Sequence, residues 1–228
     1  MPPSVQRKRI RRTPAARRAE IVGTAAAVAL AEGLECVTLR RIGEELGVRP
    51  GLISHYFPSA DDLMAEAFGS AAGAELDSLL PAERAQGTPT LHLGWFFARA
   101  SGESYDNISR LWINARHLSR DRTVLRDRVA EQEAAWRERL TGLIRAGVDR
   151  NEFRTDDPYM TSLQILVALD GLEAQANSDT LNRPAAVSRM AATTAERELG
   201  LPEGAFTRTD APLAAPLTGQ VVSSHSRP

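Results

Sequence analysis

The sequence predicts an all-α protein: an N-terminal three-helix head of the helix-turn-helix type, followed by a larger helical body. Three observations predict it. Apolar residues recur at helical spacing through most of the 228-residue chain, with no alternating runs bounded by hairpin signals. Near the N-terminus, helix start and stop residues mark two short helices joined by a glycine turn. Charge is also divided unevenly. The formal net charge is −1, from 28 Lys+Arg against 29 Asp+Glu. Residues 1–60 nevertheless carry ten basic and five acidic residues, and residues 61–228 carry 18 and 24. A basic end on an acidic body points to an end that meets a polyanion.

The elements follow in order. Residues 1–16 hold three prolines and a cluster of basic residues and read as a flexible arm. The first helix is expected from Ala16 to Glu32, with Ile21, Ala25, Val28 and Ala29 on one stripe. Gly33 stands where a helix ends. Thr38 is placed as the N-cap of a second helix, Leu39 to Leu46, which Gly47 terminates. Val48 and Arg49 make the turn, and Pro50 opens a third helix running to Tyr56. Pro58 ends it, and Ser59 caps a long fourth helix from Ala60. Further helices are expected at about 60–80, 89–101, 104–118, 122–149, 157–177 and 183–199. Residues 201–228, with Pro202, Pro212, Pro216 and Pro228 among Ser, Thr and Gly, are expected to stay disordered.

Composition also excludes. A single cysteine, Cys36, rules out a disulfide framework and multi-cysteine zinc sites, and reads as a small buried residue. No apolar run approaches the length of a membrane span, and no apolar segment follows the basic start. The expectation is a soluble, cytoplasmic protein. His55, His92, His117 and His225 are isolated, and no Glu-x-x-His pair occurs. No catalytic or metal site is expected, and no cofactor. In a helix-turn-helix the second helix enters the major groove of double-stranded DNA, which makes DNA binding the leading reading.

At these residues the sequence resembles the TetR family of transcriptional regulators. The matching stretch runs from Val37-Thr38-Leu39-Arg40-Arg41-Ile42-Gly43 through Glu44-Glu45-Leu46-Gly47-Val48. It continues through Arg49-Pro50-Gly51-Leu52-Ile53-Ser54-His55-Tyr56-Phe57 to Asp61-Asp62-Leu63. The likeness is specific over about residues 17–68 and architectural beyond. Gly51 to Phe57, and more weakly Leu169-Asp170-Gly171-Leu172, are similar to the choline-responsive BetI branch. Two positions depart from the family pattern. Arg49 replaces a small hydroxyl residue, and Ala60 replaces a lysine that contacts phosphate in relatives. The operator therefore does not follow from relatives.

The DNA-binding set is Arg11, Arg12, Arg17, Arg18, Thr38, Arg40, Arg41, Arg49, Pro50, Gly51, Ser54, His55 and Tyr56. Thr38 and its helix start would hold phosphate through hydroxyl and backbone N–H groups. Arg49, Pro50, Gly51 and Ser54 would face the groove, and Gly51 would let the backbone approach it closely. The arm arginines would track phosphates or a flanking minor groove. The domain division is 1–16 arm, 17–59 DNA-binding domain, 60–200 effector-binding and dimerisation domain, and 201–228 tail. The resemblance implies that the last two helices pair with those of a second subunit, through Met160, Leu163, Ile165, Leu166, Val167 and Leu169. It also implies a small-molecule effector bound in the body. Candidate effector residues are Trp95, Phe96, Tyr105, Trp112, Asn114, His117, Trp136, Gln164, Asp170 and Glu173. Tryptophan with carboxylate suits a cation, and the acidic body favours one, so a choline-like amine or polyamine is expected. The function implied is a homodimeric repressor released from a palindromic operator by its effector. The alternative is a relative that has lost ligand sensing or answers to a partner protein.

Overall fold

The computed structural model describes residues 13–82, 87–100, 106–176 and 185–206. All regular structure among them is helical, and no helix there is long and apolar enough to cross a membrane. The head is built from α1 (Pro14–Glu32), a 3₁₀ turn (Leu34–Cys36), α2 (Leu39–Glu45) and α3 (Pro50–Tyr56). The body comprises α4 (Ala60–Leu79), α5 (Pro89–Arg99), α6 (Asp106–Leu118), α7 (Thr123–Asp149), α8 (Pro158–Ala176), α9 (Ala185–Ser188) and α10 (Met190–Glu198).

Local chemistry explains the head. Helix α1 starts two residues earlier than expected, because Thr13 caps it through a hydrogen bond from the Ala16 N–H at 3.2 Å. Pro14 then takes the first helical position, where its missing N–H costs nothing. Gly33 ends α1 at φ 102°, which few other residues tolerate. Thr38 caps α2 by accepting from the Arg41 N–H at 3.0 Å. Gly43 of α2 is buried, and a Cβ there would sit 3.1 Å from the Val48 carbonyl oxygen. The absent side chain lets the turn fold tightly over α2. The head core is Ile21, Leu34, Val37, Ile42, Ile53 and Phe57, each at most 1% exposed.

Helix α4 begins with a reciprocal capping box between Ser59 and Asp62. It leaves the head and becomes the central helix of the body, packing on α1 at one end and α7 along its length. Three ion pairs tie α7 and its N-cap residue Arg122 to α4: Arg122–Asp61 at 3.1 Å, Arg128–Glu66 at 2.5 Å and Arg139–Asp77 at 3.2 Å. Helix α7 ends in a reversal at Asn151, φ 58°. Gly147 is needed there, since a Cβ would overlap the Phe153 ring at 2.0 Å. Helix α8 then packs on α7, with a buried hydrogen bond between the Thr141 and Ser162 hydroxyls at 2.8 Å.

Two expectations near the C-terminus are corrected. The single helix at 183–199 is two, because the backbone leaves helical angles at Arg189. Residues 201–206 pack on the body instead of trailing from it. The buried Glu196 carboxylate accepts from the Gly204 and Phe206 N–H groups at 3.0 Å each, and Phe206 packs on Phe97 with centroids 5.2 Å apart.

Candidate DNA-binding surface and effector pocket

On the head, α3 is anchored by Ile53, and Arg49 before it and Pro50, Gly51, Ser54 and His55 on it are exposed. A Cβ on Gly51 would meet nothing within 4 Å, so nothing within the described protein requires glycine there. The Ser54 hydroxyl donates to the Gly51 carbonyl at 3.2 Å. Tyr56 is half-buried, and His55 meets it edge to face at 5.3 Å.

The arginines divide sharply. Arg17 pairs with Glu20 at 2.6 Å and Arg40 with Glu44 at 2.8 Å. Arg18 lies over the Phe57 ring at 5.0 Å and pairs with Glu66 at 3.1 Å, joining α1 to α4. Arg41 bridges Glu32 and Glu45, each at 2.6 Å, clamping α2 to the end of α1. Hydrogen bonds from Arg41 hold the Glu32 carboxyl below its ordinary value, and the clamp raises Arg41 in turn. Arg49 has no ion pair among the described residues. Residues 13–60 hold five arginines and five glutamates, so the described part of the head is neutral. The whole positive excess belongs to Arg7, Lys8, Arg9, Arg11 and Arg12. Arg11 and Arg12 lie outside the described residues.

In the body, the expected effector residues do not form one cluster. Trp112, Trp136 and Asp170 line a cavity of about 180 Å³ between α6, α7 and α8, with Leu163, Leu166, Val167 and Leu169 supplying apolar wall. Trp95 lines a separate groove of about 300 Å³ near α10. Phe96 is fully buried in the core, 5.0 Å from Phe97 and 6.1 Å from Trp136. His117 and Gln164 are exposed. Tyr105 and the side chain of Glu173 lie outside the described residues.

Asn114 turns the other way, toward the head. Its Oδ1 accepts from the Leu34 N–H at 2.8 Å and its Nδ2 donates to Glu35 at 2.7 Å. Two residues earlier, the Trp112 N–H donates to the buried Glu75 of α4 at 2.7 Å, and Phe68 packs edge-on to its ring at 4.9 Å. Helix α6 thus touches the head, α4 and the cavity within five residues.

The cavity also contains residues that sequence reasoning missed: Arg116, Glu133 and Arg137. Arg116 lies 5.1 Å over the Trp112 ring and pairs with Glu133 at 3.1 Å and Asp170 at 3.0 Å. Burial pushes the Asp170 carboxyl up, and Arg116 pulls it only partly back. Burial works against the Arg116 charge, but its two carboxylate partners outweigh that and raise it. The available signal was spacing, since Arg116 follows Trp112 by one helical turn. Among the described residues, no group of three or more His, Cys, Asp or Glu could hold a metal ion.

Residues 21–67 match the family described as bacterial regulatory proteins, tetR family. No curated protein matches the sequence. Several solved structures share the fold. One is a TetR-family transcriptional regulator from Cytophaga hutchinsonii, 20% identical, TM-score 0.67, covering 82% of this chain and 94% of that one. Another is a TetR transcription regulator from Haloarcula marismortui, 20% identical, TM-score 0.66, covering 82% and 97%. A third, from Saccharomonospora viridis, was solved in complex with choline. It is 21% identical with a TM-score of 0.63, covering 79% of this chain and 94% of that one.

Proposed function

We propose that this TetR-family DNA-binding transcriptional regulator works as a homodimeric repressor, released from its operator by a small molecule bound in the body. The observation that carries the ligand-responsive part is α6. It forms the cavity wall through Trp112 and Arg116 and holds the head through Asn114. A ligand that favours another position of α6 biases where the head sits, and by linkage DNA opposes the ligand equally.

DNA is bound in two ways. Arg49 and the N-terminus of α3 meet base edges, while the arm cations and the start of α2 meet phosphates. The assigned contacts remain Arg11, Arg12, Arg17, Arg18, Thr38, Arg40, Arg41, Arg49, Pro50, Gly51, Ser54, His55 and Tyr56. Two heads on a two-fold axis read a near-palindromic site. Pairing of two copies is supported by an apolar face on α8 exposed to solvent, where Tyr159 is 48%, Met160 49% and Val167 68% exposed. Met190, at the start of α10, is 44% exposed.

The Trp112 ring, Glu133 and Asp170 already hold one cation, the Arg116 guanidinium, and chemistry of that kind favours a cationic amine. The choline complex of the S. viridis protein supports the same class. A second reading, a regulator without ligand sensing, is favoured by cavity size, since drug-sized sites usually exceed about 300 Å³. The experiment selects operator DNA from a random library and measures its release by amines and by hydrophobic acids. Release by amines supports the proposal. A half-site without two-fold repetition, or DNA affinity indifferent to every ligand, overturns the corresponding part.

A further inference from the structure

We infer that Arg116 is the resident occupant of a cation site, and that a small organic cation, quaternary ammonium or guanidinium, enters by displacing it. The inference rests on the ligand-responsive reading and names how that site is gated.

Three groups of the kind that hold a free cation already hold this one. The Trp112 ring faces the guanidinium at 5.1 Å, Glu133 accepts at 3.1 Å, and Asp170 accepts at 3.0 Å. They come from α6, α7 and α8, so the seat is assembled by the fold. Arg116 can leave. Its side chain is 34% exposed, and its partners are 36% and 45% exposed, so the guanidinium has a route to water along a flexible stem. Departure would leave two carboxylates and two indole rings, with Arg137 as the remaining cation in the wall. That residue set is net negative, which suits a cation and rejects an anion. Departure would also enlarge the cavity of about 180 Å³ beside Arg116. The small volume is then a consequence of the occupant.

A tethered cation competes at an effective concentration in the ~millimolar range, so an external cation binds wild type with apparent affinity reduced by the fraction of open seats. Removing the occupant removes that competition. The test is calorimetric titration of wild type and Arg116→Ala with choline, methylguanidinium, the neutral isostere 3,3-dimethylbutan-1-ol, and a hydrophobic carboxylate. Choline and methylguanidinium should bind Arg116→Ala at least about tenfold tighter than wild type, with the neutral isostere unchanged. Arg116→Lys, which keeps a charge without the fork, should fall between, and it decides the matter if Arg116→Ala does not fold. Equal cation affinity in wild type and variants overturns the inference. So does tight binding of the carboxylate to wild type that Arg116→Ala loses, because Arg116 is then an anion receptor.

Operator binding measured alongside separates the two levels. Tighter cation binding without any change in DNA affinity sinks the ligand-responsive reading and leaves the exchange standing. DNA release by some other ligand, with no difference between wild type and variants, does the reverse.

Discussion

The head and the body use arginine in opposite ways. In the head, Arg17 and Arg40 pair with carboxylates three or four residues away on the same helix, the first pair half-buried and the second at the surface. Such short-range pairs hold little and can exchange a carboxylate for a phosphate. Arg49 is already unpaired among the described residues. In the body, Arg122, Arg128 and Arg139 cross from α7 to α4, and Arg116 sits inside a seat of ring and carboxylates. On the proposed reading, one residue type serves an outside partner in one region and the protein's own architecture in the other. Distance to the partner in sequence makes the difference, three or four residues in the head against 17 to 62 in the body. Arg18 and Arg41 complicate the division, since both tie helices together within reach of the head surface.

The comparison can be broken most severely at the arm. Deleting residues 1–12 removes every unit of positive excess and should cost DNA affinity a factor of about 100 or more at low salt, with a flatter salt dependence. Fluorescence anisotropy across a salt series measures both. An unchanged slope would mean the arm touches no phosphate. Arg49→Ala should weaken operator binding by about 1–3 kcal/mol and relax preference at one base position. Arg40→Ala, by contrast, should change affinity by less than about 1 kcal/mol. If Arg40→Ala costs as much as Arg49→Ala, pairing in the free protein does not forecast a spare role.

Asn114→Ala should leave DNA affinity and ligand affinity separately near wild type while weakening their coupling by about 0.5–2 kcal/mol. The readout is operator release as a function of ligand. Undiminished coupling would leave α4 as the sole relay. The smallest effect concerns acid. The Glu32 carboxyl is depressed by Arg41, so its contribution is present above the ordinary glutamate value and is lost as pH falls through the lower, folded-state value. The Asp170 carboxyl is raised, so it protonates earlier on acidification. Loss of the Asp170 charge should weaken cation binding at the cavity, and protonation of Glu32 should open the Arg41 clamp. Ligand titration and thermal melts across the carboxylate range would place the two events; cation affinity that falls only below the ordinary aspartate range, or a clamp that opens at or above the ordinary glutamate range, would contradict the respective direction.

Much of the head was legible in the chain because its determinants are local. Thr38, Pro50 and Ser59 act on backbone groups within three residues, and α2, α3 and α4 begin where those signals stand. Gly47 adopts φ 63°, as a helix terminator does. The start of α1 was misplaced only because Thr13 and Pro14 were read as arm. The site in the body was legible in part. Trp112, Trp136 and Asp170 were identified by residue type and do share a cavity. Asn114 and Phe96 were identified by the same reasoning, and one holds the head while the other fills the core. Arg116 and Glu133 were missed because a charged residue on an amphipathic helix reads as solvated, and only the crossing of α6, α7 and α8 brings the Arg116 guanidinium to Glu133 and Asp170.

The sequence by itself determined the helical class, the order of elements and a three-helix head with a glycine turn. Each of these follows from spacing and from capping chemistry that spans a few residues. Tertiary structure alone decided which arginines are committed, that α6 joins the cavity to the head, and that the cation seat is already filled. Those facts depend on side chains 17 to 80 residues apart meeting within hydrogen-bond reach. No periodicity in the chain records such meetings, because they are set by how the helices cross.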